Sequence, residues 1–386
     1  MTGLYRLKGS VKHYDWGGWD YIPSLLDIDN KERKPYAEYW MGIHPLGGAN
    51  IELQDGGCKP LKEYTNDLPY LLKILDVRDM LSIQVHPSKA AAAKEFAREN
   101  AEGIPADAPA RNYRDANHKP EFLAALSDFW LLHGFKPEDE LIDILTGVKE
   151  LNGLLTYYNM SGYAGLYRHV MEMPQDEVNK TLQPLLDLIV PLYHSNKLKK
   201  AEEDFWAARA AVTFSKGGNI DRGIFSIYLF NLVHLKKGEG IFQAAGVPHA
   251  YLEGQNVEIM ANSDNVLRGG LTTKHIDVNE LMKHVKCEAT WPEILIPHGH
   301  NAEKEYKTPA TDFRLSVFEL KKGQDAGFTS SATDILIVTN GIVEVSAENS
   351  KIKLEHGDPS AVVFPGKTVQ LKAVTDATIY RSTVPG

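Results

Sequence analysis

The sequence has little cysteine. Its 386 residues include only Cys58 and Cys287, too few for a disulfide framework or a four-cysteine zinc site. A reducing cytoplasm is the simplest expected compartment. Long apolar runs are also missing. The most apolar stretch, Ile224 to Leu235, is broken by Ser226, Asn231 and His234 and falls short of the roughly 20 residues that span a bilayer. The segment from Met1 to Gly9 has no apolar core of leader-peptide length, so neither a secretory leader nor a membrane anchor is expected. Positive charge is not in excess: 42 Lys and Arg face 51 Asp and Glu, a net charge of −9. That argues against general nucleic-acid binding. A glycine-rich dinucleotide fingerprint is absent too.

What remains is an ordinary globular composition, 43% hydrophobic and 24% charged, in a chain long enough for two or three domains. The first 135 residues are rich in turns and short apolar runs. Leu81 to His86 and Phe122 to Leu126 read as strands, and Lys89 to Asn100 as a helix. From Pro137 to about Phe214 the period changes. Pro137 with Glu138, Asp139 and Glu140 forms an acidic helical first turn. Leu141, Ile144, Leu145 and Val148 then recur at helical spacing, and Leu182–Leu192 and Lys200–Val212 read as further helices. After a short apolar helix, β patterns resume to about Gly270. A loop over 292–307 leads to a last β stretch, with strands at Phe313–Leu320, Ile335–Val338, Ile342–Ser346 and Ala361–Phe364. Short strands at this spacing point to a sandwich or jelly roll. A faint repeat relates the turn Ala245–His249 to Phe364–Val369, with Val369 standing where the first copy has His249. The expectation is a mainly β chain with an α insertion: a catalytic jelly roll from 1–135 and 215–291, helices over 136–214, and a degenerate second β domain over 292–386.

Four motifs carry candidate chemistry. On a strand, Ser82, Gln84 and His86 share one face while Ile83 and Val85 pack on the other. In Asn117-His118-Lys119-Pro120-Glu121, the proline pushes Lys119 to an extended conformation, so Lys119 and Glu121 project to one side. His249 follows a Gly-Val-Pro turn at a strand start, with Tyr251 on the same face. Asn262 to Gly270 is a polar, glycine-ended stretch holding Asp264 and Arg268, with Lys274 shortly after; Glu258 alternates with apolar neighbours and can face inward. Each has an ordinary structural reading, as a packed histidine, a surface ion pair or a solvated turn. Gln84, His86, Glu121 and His249 together could hold one divalent ion. Zinc suits the donors, and manganese, cobalt or iron also fit. Spacing alone does not select these four from 14 histidines.

At these residues the chain resembles the type I mannose-6-phosphate isomerase (phosphomannose isomerase) family. The resemblance runs through Tyr14-Asp-Trp-Gly17, Ala37-Glu-Tyr-Trp-Met-Gly42 with His44-Pro45, Ile83-Gln-Val-His-Pro87, Asn117-His-Lys-Pro-Glu121, Pro248-His-Ala-Tyr251 and Asp264-Asn-Val-Leu-Arg268. One departure is Ala244, where the family often has proline. The resemblance implies a cupin-type jelly-roll core with a helical insertion and a second, degenerate cupin-like β domain. It puts one zinc ion on Gln84, His86, Glu121 and His249, and an active-site arginine on Arg268. It implies isomerisation of mannose 6-phosphate and fructose 6-phosphate through a cis-enediol. Lys119, Lys274 and Ser82 are then candidates for the phosphate, and Trp16 and Tyr251 for other substrate contacts. Glu258, Asp264 and His118 are open choices for the base, and Lys119 could also shuttle protons. The sugar phosphate would be the sole partner of a monomer or small homo-oligomer. The competing readings are a mononuclear iron dioxygenase on the same barrel and a non-catalytic sugar-phosphate-binding module.

Overall fold

In the computed structural model, residues 3–53, 56–66, 68–105 and 107–385 are described. Met1 and Thr2, which head the segment read for a leader, lie outside them. Among the described residues, no helix is long and apolar enough to cross a membrane.

The site is organised by one long strand, His249–Ala261. Its first residues pair antiparallel with Phe129–Phe135 on one side, and His249 pairs with Gln84 on the other. Its later residues pair with Tyr70–Val77 and with Glu121–Ala125. The change of partners falls at Gly254, whose φ is +128°. A Cβ there would stand 2.6 Å from the Asp128 carbonyl oxygen, so the bend needs glycine. Glu38–Met41 and Ser10–Lys12 extend this ten-stranded sheet on one side and Phe230–Leu235 on the other.

The alternation expected around Gln84 is observed. Ile83 and Val85 are fully buried in the apolar cluster that also takes Leu141, Leu145, Tyr167, Leu182 and Trp206 from the helical segment. The helices therefore pack on the back of the strands that carry the site. The strand itself is shorter than expected, Gln84–Val85 rather than the full run from Leu81. The helical segment contains Glu138–Gly147, Leu154–Glu172, Gln175–His194 and Glu203–Phe214. The expected helix from Leu182 begins seven residues earlier, at Gln175, because its polar first turns show no apolar stripe.

The last β stretch contains every expected strand to within two residues at each end. It also holds Asp325–Thr329, Ser350–Leu354, Thr368–Ala373 and Ala377–Thr383, which were not anticipated. The loop expected over 292–307 is not wholly a loop. Glu303–Tyr306 is a strand at the sheet edge, paired with Arg314–Leu320. Its sequence, Glu-Lys-Glu-Tyr, lacks the apolar alternation that would mark it. The two turns of the faint repeat match in backbone: Gly246 and Gly366 sit at φ +83° and +80°. Val369 is fully buried in apolar surroundings. The first strand, Leu4–Lys8, pairs antiparallel with Ser360–Val363 near the other end of the chain, tying the N-terminus into the C-terminal sheet.

Candidate metal centre and cleft

Strand register explains why distant residues meet. His249 lies opposite Gln84, and Gln84 lies opposite Arg268. Directly opposed residues of antiparallel strands send their side chains to one face about 5 Å apart. The ladder therefore sets His249, Gln84 and Arg268 in a row. Glu121 enters from the strand on the other side of His249–Ala261, opposite Met260 and Gln243.

Donor atoms of His86, Glu121 and His249 lie within 4.8 Å of one another, and all three residues are buried. His86 Nε2 is 3.4 Å from Glu121 Oε1, and His249 Nε2 is 3.2 Å from Glu121 Oε2. Both rings are oriented by backbone carbonyls: His86 Nδ1 lies 2.8 Å from the Asn265 oxygen, and His249 Nδ1 lies 3.0 Å from the Val247 oxygen. A carbonyl only accepts, so each Nδ1 carries the hydrogen and each Nε2 presents a lone pair. Burial pushes His86 down to about 4, against the attraction of Glu121, so its ring is neutral and its buried Nε2 has no hydrogen-bond partner. Two lone pairs turned on a carboxylate repel unless a cation lies among them. Donors at 2.0–2.1 Å from a tetrahedral ion stand ~3.4 Å apart, which matches the 3.4 and 3.2 Å separations here. The residues fit a divalent metal. Gln84 lines the same small cavity, of about 50 Å³, with Glu121 and His249. The Ala244 departure is harmless. Gly246 donates its backbone N–H to the His86 carbonyl at 2.9 Å, and Val247 to that of Ala244 at 3.2 Å, so the turn is pinned without proline.

Burial opposes ionisation of Glu121, but opposing charge, the Lys119 ammonium first, outweighs it. The carboxyl is held well below the usual carboxylate range. Lys119 Nζ is 3.1 Å from Glu121 Oε1, as the extended Lys119-Pro120-Glu121 geometry requires.

The same alternation removes His118. Its side chain projects to the opposite side, where Nε2 lies 2.9 Å from Asp312 Oδ2. It lines neither the small cavity nor the larger cleft, so the structure does not bring this candidate into the site.

The larger cleft, of about 650 Å³, shares Gln84, Lys119, Glu38 and Lys73 with the small cavity. Trp16, Ser82, Asp264, Arg268 and Lys274 all line it. Burial lowers Arg268, helped by Arg114, and burial lowers Lys274, helped by Arg268 and Arg114. A concave wall with mutually repelling cations favours an anion. Tyr251 and Glu258 instead line the small cavity. Tyr251 donates its hydroxyl hydrogen to Glu258 at 2.8 Å, and Lys73 Nζ donates to the same carboxylate at 2.6 Å.

Lys73 escaped the sequence reading. It sits in the fully buried strand Tyr70–Val77, where a lone lysine among apolar residues is itself a signal. Burial disfavours its ammonium, but Glu258, Glu38 and Glu121 outweigh this and hold it above the ordinary lysine range. Asn265 was also missed. Its side chain accepts from the Arg114 N–H at 2.7 Å and donates to the Asn117 carbonyl at 2.8 Å. With its own carbonyl on His86, it ties together three functional segments.

Histidine burial sets a pH dependence. Burial pushes His133, like His86, from the ordinary 6.5 to about 4. The unfolded chain then binds protons that the folded one refuses. Metal-free protein should keep its full stability above about pH 6.5 and lose it progressively down to about pH 4. Thermal melting of chelated protein against pH measures this, and a flat profile over that window would contradict it.

Comparison with known proteins agrees with this geometry. The model of the phosphomannose isomerase type I catalytic domain matches residues 4–138. Mannose-6-phosphate isomerase of Escherichia coli (strain K12) is 31% identical over 391 residues, covering 96% of this chain and 97% of that one. The Macaca fascicularis enzyme is 32% identical, covering 98% of each chain. A crystal structure of a phosphomannose isomerase variant from Salmonella typhimurium superposes with a TM-score of 0.87 at 29% identity, covering 99% of each chain. A zinc-bound holo mannose 6-phosphate isomerase superposes with a TM-score of 0.86 at 29% identity, covering 100% of each.

Proposed function

We infer the residue roles from one premise, that this chain belongs to the type I mannose-6-phosphate isomerase family. It is an isomerase that interconverts D-mannose 6-phosphate and D-fructose 6-phosphate by proton transfer between C1 and C2 through a cis-enediol, with zinc as its metal. The observation that carries this reading is the pair of imidazole lone pairs turned on Glu121, with Arg268 of the cationic cleft wall two ladder positions from His249. Gln84, His86, Glu121 and His249 hold the zinc, which supplies Lewis-acid polarisation of a substrate oxygen.

This chain's own residues do the rest. Arg268 and Lys274 bind the anionic substrate, whose negative charge relieves the repulsion between the two cations. Ser82 adds a hydroxyl donor and Trp16 an apolar wall. Arg268, in the same ladder row as Gln84 and His249, is also placed to offset charge that develops next to the metal. Asp264 is the best-placed proton acceptor. Its side chain is 36% exposed to the cleft, whereas Glu258 is committed to Lys73 and Tyr251 and His118 faces elsewhere. Tyr251 holds Glu258 in place. Lys119, held on Glu121, stabilises the ligand carboxylate and can move a proton across the small cavity.

The division into a jelly roll over 1–135 and 215–291, helices over 136–214 and a C-terminal β domain over 292–386 belongs to the same proposal. An apolar cluster drawn almost entirely from the last β stretch supports it, while Leu4–Lys8 pairs into the C-terminal sheet and a second cluster joins Leu7, Tyr70 and Phe122 to Leu315, Ile335 and Val362 across that boundary. A cytoplasmic monomer or small homo-oligomer that takes no nucleic acid belongs to the same proposal, in keeping with the net charge of −9. No observation favours the dioxygenase or the non-catalytic reading.

A coupled assay for fructose 6-phosphate formed from mannose 6-phosphate tests the function. Activity should vanish on chelation and return with zinc. Activity unchanged by complete metal removal would refute the metal-dependent reading.

A further inference from the structure

The geometry assigns a positioning role to His44: we propose that its Nε2–H holds the Asp264 carboxylate in the orientation in which it meets the substrate. This rests on the reading that Asp264 transfers the proton.

His44 ends a short segment after the strand Glu38–Met41 and is only 4% exposed. The Leu46 backbone N–H donates to its Nδ1 at 3.2 Å. An Nδ1 that accepts leaves the ring hydrogen on Nε2. That atom stands 3.4 Å from Asp264 Oδ2, long for a hydrogen bond, as catalytic hydrogen bonds often are before substrate binds. The ring is held from the side as well. Trp40 meets it edge-on, with centroids 5.0 Å apart and planes at 82°, and the Trp40 indole N–H is itself bonded to the buried Glu38 carboxylate. A chain of contacts from Glu38 through Trp40 and His44 thus ends on Asp264.

Asp264 needs such a partner. Its backbone N–H donates to Asp115 Oδ2 at 2.8 Å, which fixes the main chain but leaves the side chain to turn. Among the described residues, its carboxylate accepts no hydrogen bond that meets full geometry, and His44 Nε2 at 3.4 Å is its one close cationic or N–H neighbour. A neutral N–H donor orients a carboxylate without neutralising it, which a lysine or arginine at the same place would do. Burial lowers His44 despite the pull of Asp264, and Lys73 and Lys119 lower it further, so the ring is a neutral donor at physiological pH. The tautomer and the orientation together resemble the histidine–carboxylate pairs that set geometry in other active sites.

Four variants test this: His44→Phe, which keeps the ring and removes the donor; His44→Gln, whose amide N–H can reach the carboxylate; Asp264→Asn; and the His44→Phe/Asp264→Asn double variant. His44→Phe should lower kcat about 10- to 100-fold with KM within about threefold and zinc content unchanged. His44→Gln should recover most of the loss. The double variant should be no slower than Asp264→Asn alone, because the two residues act as one unit. Wild-type kcat in His44→Phe would overturn the proposal. So would a double variant slower than Asp264→Asn by the full His44→Phe factor, which would show His44 acting independently. Wild-type kcat in Asp264→Asn would instead overturn the reading of Asp264, whatever His44 does. If His44→Phe does not fold, His44→Asn replaces it: a polar side chain too short to reach should be slow, and equal rates in the Asn and Gln variants would refute the role.

Discussion

His249→Ala is expected to lose zinc and turnover together. The substitution removes one of three donors that lie within 4.8 Å of one another, and His249 is the residue that faces Glu121 Oε2 at 3.2 Å. Removing it leaves His86, Glu121 and Gln84, a set with one imidazole and weaker oxygen donors. Lewis-acid stabilisation of developing charge is worth several kcal/mol, so its loss should cost on the order of 10³-fold in kcat/KM. The fold should survive. His249 begins its strand, and the pairing of that strand with Phe129–Phe135 and Tyr70–Val77 does not depend on the ring. The variant also removes one of the two lone pairs turned on the Glu121 carboxylate. Its metal-free form should therefore melt no lower than metal-free wild type, whereas zinc should stabilise wild type alone. Metal analysis, coupled kinetics and melting curves with and without zinc check all three statements. Stoichiometric zinc with full activity would refute the ligand set.

Arg268→Ala should do the opposite to the metal and nearly the same to the rate. Arg268 lies opposite Gln84 in the ladder but supplies no metal donor, so zinc content should stay at one per chain. Its guanidinium is more than half buried in the cleft wall, and burial pulls it below the ordinary arginine range, assisted by the nearby Arg114. A cation held at that cost in a concave, partly dehydrated site stabilises an anion more strongly than a surface cation does. Losing one preorganised donor to a developing charge costs about 10²- to 10³-fold in kcat. Arg268→Lys should recover only part, since a point charge lacks the guanidinium fork. Lys274→Ala, more exposed at the cleft mouth, should raise KM with little change in kcat. That division separates binding of the substrate's charge from stabilisation of the transition state. Normal turnover in Arg268→Ala would remove this residue from the mechanism.

Local rules made much of the site readable. Pro120 forces extended backbone, and period-two alternation then places Lys119 and Glu121 together. Applied strictly, the same alternation excludes His118, which the structure turns to Asp312. The alternation of Ile83, Gln84 and Val85 correctly separates a packed face from a polar one. The Gly-Val-Pro turn before His249 marks the start of its strand. The helical period over 137–214 identifies the insertion, because an apolar stripe at 3.6-residue spacing is a local property.

Other features were settled only by the tertiary structure. Nothing local says that His249, Gln84 and Arg268 share a ladder row, because register between strands far apart in sequence is set by packing and turn geometry across the whole sheet. Lys73 belongs to the site only because Glu258 and Glu38 are folded against it. His44 reaches Asp264 across loops that adjoin only in the folded sheet. The pairing of Leu4–Lys8 with Ser360–Val363 joins opposite ends of the chain. By itself, the sequence determined which side chains project together within each short segment and which segments are helical, since both follow from backbone geometry over a few residues. The tertiary structure decided which segments face one another, because that choice depends on burying distant apolar faces together and on giving each buried charge a partner.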